Sequence, residues 1–292
     1  MQNKGRKIKD KRKTNRKIYK DVETTINFKN RIIKYDLHIH STISDGTCSP
    51  YEIIEIAKNK NLKGISITDH DEYVEDNIYE YAKEKGIIFI PAIEFSTKFT
   101  NVHIIGYNLN WQDEKLENFL KHQREERKKA IIKMCEKGKR MGLPISFEEI
   151  IENINTTKSI GRPHIANILV KKGYVKNIYE AFKKYLYTGG PIFEDYKKYH
   201  YTEIINLIEQ ANGVSVLAHP GLIPYNIQER VIIDCIKYGI KGIEVFYPRH
   251  SYNQIERFYS LAQKYGLFIF GGSDFHGEVK PDIQLGDAGL TE

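Results

Sequence analysis

Apolar runs of five or six residues, many of them β-branched, recur from Tyr35 onward and are separated by longer stretches of helical pattern. Alternation of this kind is typical of βα units, whose successive strands pair in parallel with a helix between them. Seven such units predict an α/β fold in which a parallel sheet closes into a barrel. The predicted strands are Tyr35 to Ile39, Gly64 to Thr68, Ile87 to Pro91, Val102 to Tyr107, Val214 to Ala218, Gly242 to Phe246 and Leu267 to Gly271.

The first helix has a well-marked predicted start, shortly after the first strand. Ser49 is placed as the N-cap, Pro50 takes the first helical position, and Glu52 follows three residues after the cap. Serine and glutamate at this spacing are typical of a capping box, and proline is favoured where the helix needs no backbone donor. The loop after the first strand therefore ends at Ser49.

The βα alternation stops between about Asn110 and Tyr201. The stretch "DEKLENFLKHQREERKKAIIKMCEKGKRMG" predicts one long charged helix, and shorter helical patterns follow around Phe147, Ile165 and Tyr179. This region therefore reads as a helical insertion. The predicted division is a barrel formed by residues 31–110 and 202–292, with the insertion at residues 111–201.

The excess positive charge is confined to the first 20 residues. They hold ten lysines and arginines against the single acid Asp10, whereas the rest of the chain carries 35 basic and 37 acidic residues. A segment with so few apolar residues cannot bury a core. We expect residues 1–30 to form a disordered basic tail, which is either simply solvated or attracted to a polyanion such as nucleic acid.

Composition also restricts the class of protein. No apolar run approaches the roughly 20 residues that span a bilayer, and the sequence shows no signal-peptide pattern. The three cysteines, Cys48, Cys135 and Cys235, are odd in number and form no C-x-x-C pair, which argues against a disulfide framework and a thiolate zinc site. We expect a cytoplasmic protein without a membrane segment.

Histidines and carboxylates collect beside the ends of the predicted strands. In "DLHIH", His38 and His40 alternate with apolar residues, so on a strand both imidazoles project from one face, close enough to bind one ion. The carboxyl ends of the strands in an α/β barrel meet at one mouth. We therefore expect further side chains to converge there, namely Asp45, Asp69, His70, Glu94, His219, Asp274 and His276.

This donor set contains nitrogen and oxygen but no cysteine sulfur. Such a mixture suits zinc, manganese or iron at a catalytic site that also binds water, rather than a structural zinc site. Asp45 and Glu94 are carboxylates that can bridge neighbouring ions. The pattern predicts a catalytic metal centre at the mouth of the barrel.

These motifs, in this order, resemble the PHP (polymerase and histidinol phosphatase) family of metal-dependent phosphoesterases. The resemblance runs from Tyr35 to about Leu285 and implies a distorted (β/α)7 barrel with three divalent metal ions, manganese being preferred and iron or zinc left open. The implied ligands are His38, His40, Glu94 and Asp274 for the first ion, Glu94, His103 and His219 for the second, and Asp45, His70 and His276 for the third. His103 is implied only by the resemblance.

The helical interruption resembles the branch that hydrolyses nucleoside 3′,5′-bisphosphates and trims short RNA or DNA from the 5′ end. By that resemblance the insertion is a substrate lid, and its "GRPH" stretch binds substrate phosphate through Arg162 and His164. His250, in "EVFYPRHS", is a further candidate for substrate binding. Arg124 and Arg127 on the long helix either line the pocket or lie on a solvated charged face, and the solvated face is the expectation.

The candidate catalytic residues are Asp69, His219 and His276. Asp69 directly precedes His70, and we expect its carboxylate to orient that imidazole. The predicted activity is hydrolysis of phosphate esters in nucleotides or short 5′-phosphorylated oligonucleotides. Two alternatives stay open, a histidinol-phosphate phosphatase and a nucleic-acid-binding protein whose barrel is inactive. The oligomeric state is not predicted.

Overall fold

A computed structural model describes residues 31–75, 77–154 and 159–291, and the compact unit discussed below begins at Ile33. The predicted basic tail at residues 1–30 lies outside the described residues. In the part of the chain that is described, no helix is long and apolar enough to cross a membrane.

Eight strands in the described residues form two sheets. Six of the predicted strands agree with observed strands to within two residues at each end. The strand predicted at Ile87 to Pro91 is only two residues long in the structure. A further strand, β4, was not predicted. The order is β1-β2-β3 in the first sheet and β4-β5-β6-β7-β8 in the second. The strands are β1 Tyr35–Ile39, β2 Gly64–Ile67, β3 Ile88–Phe89, β4 Ala92–Ser96, β5 His103–Tyr107, β6 Val214–Leu217, β7 Gly242–Phe246 and β8 Phe268–Gly271.

The prediction of a wholly parallel sheet is wrong at β5, which runs antiparallel to both β4 and β6. A parallel pair needs a crossover of a dozen or more residues, and the connection from Ser96 to His103 is too short to provide one. The remaining strands of this sheet point the same way, because β4 and β6 both oppose β5, and β6, β7 and β8 pair in parallel. The start of β5 therefore lies at the same edge as the carboxyl ends of its neighbours.

The two sheets meet at isolated bridges near this edge. Ile39 at the end of β1 pairs with Phe275, which follows β8, and His70 after β2 pairs with Glu94 in β4. The protein is thus a mixed α/β fold whose sheets approach each other where the predicted metal ligands lie.

The first helix begins at Pro50 as predicted, and the long charged helix, predicted from the stretch that starts at Asp113, spans Glu114–Arg140. The Ser49 side chain accepts from the Glu52 backbone N–H, and the Glu52 carboxylate accepts from the Ser49 N–H at 2.7 Å, which confirms the capping box. The α-helices of the described residues are α1 Pro50–Asn59, α2 Asn77–Glu84, α3 Glu114–Arg140, α4 Phe147–Glu152, α5 Arg162–Lys171, α6 Ile178–Ala181, α7 Tyr201–Gln210, α8 Tyr225–Lys237 and α9 Tyr252–Tyr265.

The region between β5 and α7 is helical, as the sequence indicates, and it builds a hydrophobic cluster of its own. Ile150, Ile165, Leu169 and Leu186 are fully buried in that cluster, beneath the 27-residue helix α3. A π-helical turn, Phe182–Leu186, continues α6. These helices are therefore held together by their own apolar contacts.

Asp36 joins the first strand to the last strand region. Its carboxylate accepts from the backbone N–H groups of Ser273 and Gly286, each at 2.8 Å, and from the Ser273 hydroxyl at 2.6 Å. Burial raises the pKa of Asp36 to about 6, although these hydrogen bonds oppose the rise. The side chain fixes β1, which carries His38 and His40, against the segment that follows β8.

Replacing Asp36 by alanine is expected to lower the free energy of unfolding by about 3 kcal/mol, because it leaves buried donors without an acceptor. Urea denaturation followed by circular dichroism measures this loss. Ser49→Ala is the control, since it removes only a helix cap and should cost about 1 kcal/mol. If Asp36→Ala cost no more than the control, Asp36 would not hold the two segments together.

Candidate metal centre

All nine side chains implied as metal ligands come together at the edge where the sheets meet. Within the described residues they form four overlapping groups, in each of which the donor atoms lie within 4.8 Å of one another. The groups are His40, Asp45, His70 and His276; His38, His40 and Glu94; His38, His219 and Asp274; and His70, Glu94 and His103.

Glu94 lies at the centre of this cluster and is 1% exposed. The sequence predicts Glu94 at the end of a strand, but the structure places it inside β4. Burial opposes its ionisation, but the facing imidazoles outweigh burial and hold the pKa of Glu94 well below its usual value. Its Oε1 lies 2.9 Å from His103 Nδ1, 3.0 Å from His219 Nε2 and 3.5 Å from His38 Nε2, and its Oε2 lies 3.1 Å from His70 Nδ1 and 3.2 Å from His40 Nε2.

The buried ring nitrogens are arranged as donors to a shared cation. The Nε2 atoms of His38 and His40 lie 3.3 Å apart. His70 Nδ1 is close to Glu94 but makes no hydrogen bond, and His219 Nδ1 is likewise buried without a hydrogen-bond partner in the described chain. Facing lone pairs and carboxylate oxygens repel each other unless positive charge lies between them, so this donor set fits divalent metal ions.

Asp45 brings a second carboxylate to the opposite side of the cluster. Its Oδ1 lies 3.4 Å from His276 Nε2, and its Oδ2 lies 3.8 Å from His70 Nε2. Burial opposes ionisation, yet His276 and His70 lower the pKa of Asp45 well below its usual value. The loop reaches this position because Gly46 packs on the His40 carbonyl, where a Cβ would come within 2.3 Å of the oxygen.

Burial and repulsion from His276 lower the pKa of His40 to about 4. At neutral pH the imidazole is therefore neutral, which is the form that binds a metal ion. His38 behaves differently. Burial opposes its protonation, but Glu244, Glu94 and Asp274 outweigh burial and raise its pKa.

Asp274 has one oxygen directed to the cluster and the other held outside it. Its Oδ1 lies 3.3 to 3.6 Å from ring nitrogens of His276, His40 and His38. Its Oδ2 accepts from Lys280 Nζ at 2.6 Å and from the Tyr247 hydroxyl at 3.0 Å. Lys280 was not predicted from the sequence.

Glu244 is a further buried carboxylate that the sequence analysis missed. It lies in β7 behind the cluster, with Oε1 3.2 Å from His38 Nδ1, and its Oε2 accepts from the His219 backbone N–H at 2.7 Å. The available signal was a single acid inside the apolar run "GIEVF". A carboxylate behind a metal-binding imidazole fixes the orientation of the ring and increases its basicity.

Asp69 does not make the predicted contact with His70. Its buried carboxylate accepts from the Ser41 backbone and hydroxyl and from the Ser44 hydroxyl. Burial raises the pKa of Asp69 to about 6 against these hydrogen bonds. Asp69 therefore positions the loop between His40 and Asp45, which is a supporting role.

The prediction that Arg124 and Arg127 lie on a solvated face is wrong, because α3 packs against the loop after β2. Arg127 is 8% exposed and donates to Asp71 Oδ2 from Nε at 2.9 Å and from Nη2 at 2.7 Å. Its Nη2 also donates to the Ser96 hydroxyl at 2.8 Å. Arg124 donates to the buried Glu72 at 2.8 Å.

The three predicted substrate-binding residues differ in their placement. Arg162 lines the cleft above the cluster, with its guanidinium 5.4 Å from the ring centres of both Phe182 and Phe193. His164 is instead buried and accepts from the Gly161 backbone N–H, capping α5. This bond occupies Nδ1, and His164 is not among the residues that line the cleft, so the structure does not place it as a substrate contact.

His250 is also corrected as a substrate contact. Both of its ring nitrogens are bound to backbone groups, since Nδ1 donates to the Val245 carbonyl at 2.9 Å and Nε2 accepts from the Gly221 N–H at 3.0 Å. The ring thereby holds the turn after β6 against the end of β7.

A cleft of about 650 Å³ opens above the metal-ligand cluster. This volume is typical of a small-molecule site. Asp45, Glu94, His219 and Asp274 contribute to its floor, and Arg127, Arg162 and Lys98 line its sides, while the more exposed Arg249 lies at its outer rim. The cleft thus combines a metal-binding floor with cationic sides, which suits an anionic substrate.

Several known proteins are similar to this chain. The model of the PHP domain family matches residues 36–245. The chain is 32% identical over 257 residues to a 3′,5′-nucleoside bisphosphate phosphatase of Chromobacterium violaceum (85% of this chain and 90% of that protein). It is 31% identical over 250 residues to a 5′-3′ exoribonuclease of Haemophilus influenzae (83% and 90%). A solved structure described as a metal-dependent phosphoesterase of Bifidobacterium adolescentis matches with a TM-score of 0.77 and 28% identity (86% and 90%).

The fold and the site define a metal-dependent hydrolase of phosphate esters. The chain belongs to the PHP family, as the match over most of its length shows.

Replacing Glu244 by glutamine is expected to weaken metal binding about 10- to 100-fold, because the charge behind His38 is lost while the side-chain shape is kept. Metal content after equilibration in metal buffers, measured by mass spectrometry, gives the affinity. Glu229→Gln, on the exposed side of α8, is the matched control. Equal affinities for both variants would mean that Glu244 does not act through His38.

Proposed function

We propose that this phosphoesterase acts on nucleotides, with nucleoside 3′,5′-bisphosphates and short 5′-phosphorylated oligonucleotides as its substrates. The observation that carries this proposal is the cleft, in which Arg127 and Arg162 line the side above the metal-ligand floor. A substrate with two phosphate groups can place one at the floor and the other at these arginines. The related phosphatase and exoribonuclease named above support this substrate class.

We further propose three divalent ions, with manganese preferred, held by the ligand sets that the family resemblance implies. The overlap of the donor groups supports a cluster of several ions, since His38, His40, His70 and Glu94 each belong to two groups. Metal ions at such a site supply positive charge for the phosphoryl oxygens and a water acidic enough to attack phosphorus. His219 and His276, which line the cleft, are proposed to lie next to the reacting phosphate.

The protein's own residues complement the charge of the substrate. Lys280 is one-quarter exposed and lines the cleft beside Asp274, so its ammonium group is available to a phosphoryl oxygen. Asp69 acts indirectly, by holding Ser41 and Ser44 and thus the loop that carries Asp45.

The finer architecture belongs to the same proposal. We infer that the two sheets form a distorted (β/α)7-type barrel, supported by the bridges Ile39–Phe275 and His70–Glu94. Residues 111–201 would then act as a substrate lid, because they supply Arg127 and Arg162 to the cleft. The cytoplasmic location expected from the free cysteines is part of this proposal as well.

Two other functions are less well supported. A histidinol-phosphate phosphatase would have no evident use for the two arginines of the insertion, because its substrate carries one phosphate group. A nucleic-acid-binding protein with an inactive barrel would be expected to have lost metal ligands, whereas the nine side chains form one cluster.

A hydrolysis screen with added Mn²⁺ tests the substrate class. Adenosine 3′,5′-bisphosphate and a 5′-phosphorylated trinucleotide are expected to turn over faster than histidinol phosphate, because only they can engage both the metal ions and the arginines. Lack of turnover on both nucleotide substrates would refute the proposal. Deletion of residues 1–20 serves as a control and should leave hydrolysis of the bisphosphate intact.

The separate metal sites are tested by His40→Ala and Asp45→Ala. Each variant is expected to lower kcat by at least about 100-fold, because stabilisation of transition-state charge is lost, and each should lose a different ion. Metal content measured by mass spectrometry shows whether each variant has lost one ion, and the double variant should lose two. His122→Ala, an exposed histidine on α3, is the matched control. Full metal content in both variants would contradict the assigned ligand sets.

A further inference from the structure

The helical insertion covers only part of the edge that carries the cleft. The insertion contacts the loops after three strands. Ser159 donates from its backbone N–H to the Ile43 carbonyl, after β1, at 3.1 Å. Arg127 pairs with Asp71, after β2, and Tyr199 forms a bridge with Thr97, after β4. The other part of the rim is formed by the turns after β6, β7 and β8. We call this part the open rim, and its cleft-lining residues are Leu222, Arg249, Lys280, Pro281 and Asp282.

The cationic groups on the two sides of the cleft differ in exposure. Arg127 is 8% exposed and is bound to Asp71 and Ser96. Arg249 is 47% exposed, and its Nη2 lies 3.1 Å from Asp282, whose side chain is 65% exposed. A recessed guanidinium suits the terminal phosphate of a chain, whereas an exposed one can also contact a phosphate inside a chain that continues past it.

The pair between Arg249 and Asp282 is easily exchanged for a phosphate contact. Exposed ion pairs contribute little free energy because water and salt screen them. A phosphodiester offers the same guanidinium a comparable negative charge. Arg249 is therefore available to an anionic ligand at small cost.

The open rim also has a defined support. His250, next to Arg249, accepts from the Gly221 N–H at 3.0 Å, and Gln254 donates to the Gly221 carbonyl at 3.3 Å. These bonds hold the turn that carries Leu222 against the turn that carries Arg249. The rim thus presents one apolar and one cationic side chain on a fixed scaffold, a combination that suits the alternation of bases and phosphates in a single strand.

We propose that the open rim binds the 3′ continuation of a single-stranded oligonucleotide, with Arg249 contacting the phosphodiester that follows the scissile one. Arg127 and Arg162 hold the 5′-terminal phosphate, Arg127 through the Nη1 group that its bonds to Asp71 and Ser96 do not use. The rest of the strand leaves the cleft across Arg249. This inference rests on the proposed function, since the continuation is the remainder of the same substrate. It assigns Arg249 to oligonucleotides and not to nucleoside bisphosphates.

Arg249→Ala in the full-length protein tests this assignment. The expected result is a loss of about fivefold in kcat/KM for a 5′-phosphorylated trinucleotide, the size of one exposed charge contact, with kcat/KM for adenosine 3′,5′-bisphosphate unchanged. Asp282→Asn should have the opposite effect on the trinucleotide, because it releases Arg249 and removes a repelling charge. Arg230→Ala is the matched control, since Arg230 is an exposed arginine on α8 paired with Asp234.

Binding of a trinucleotide whose scissile linkage resists hydrolysis, measured by fluorescence anisotropy on the metal-loaded protein, gives a readout that does not depend on turnover. The dependence of log affinity on log salt concentration should become shallower by about 0.7 in Arg249→Ala, as expected for the loss of one single-strand phosphate contact. The basic tail contributes equally to all variants and cancels in this difference.

The outcomes separate this inference from the proposed function. If the wild-type protein hydrolyses the bisphosphate but Arg249→Ala leaves the trinucleotide unaffected in both assays, the rim assignment is overturned and the proposed function stands. Equal losses on both substrates also overturn it, because Arg249 would then belong to the common site. If no nucleotide is hydrolysed, the proposed function fails, and the salt dependence of binding alone decides whether the rim binds the strand.

Discussion

The buried carboxylate of Glu94, which faces five imidazole rings, is the interaction on which the rest of the structure depends. Burying a carboxylate among neutral rings costs several kcal/mol unless protons or metal ions supply positive charge. This need for positive charge is seen in two pKa values. The pKa of Glu94 is lowered by the facing imidazoles, and the pKa of His38 is raised because the neighbouring carboxylates outweigh burial. The strands and loops around this edge accordingly bring their nitrogen and oxygen ligand atoms together at one cluster.

The strands could be predicted from the sequence more easily than their directions. Apolar runs mark where the backbone is buried, but a run has the same composition whichever way it points. The separation between Glu94 and His103 was the usable signal, because nine residues leave no room for a crossover helix. Once β5 is antiparallel, a histidine at its first residue lies at the mouth, and His103 no longer needs a family resemblance to be found there.

Residues next to one another in sequence were a poor guide to which side chains meet. Asp69 and His70 are neighbours, but successive side chains on an extended backbone point in opposite directions, so Asp69 turns to Ser41 and Ser44. Glu244 was missed and the burial of Arg127 was not predicted, because the partners of both come from distant segments. Charge on a helix predicts a solvated face only if no other element packs there, and the periodicity of α3 alone does not reveal the buried Asp71.

The contact between Arg127 and Asp71 holds the insertion against the loop after β2. Asp71 follows His70, has a positive φ of 52°, and accepts two hydrogen bonds from Arg127, which lies on the insertion. Separating such a buried pair would leave an uncompensated charge, at a cost of about 3 to 5 kcal/mol. Lifting the insertion off the metal centre would also release the strained backbone at Asp71 and disturb His70. The insertion is therefore fixed on this side of the cleft, whereas the Arg249–Asp282 ion pair at the open rim is exposed and weak.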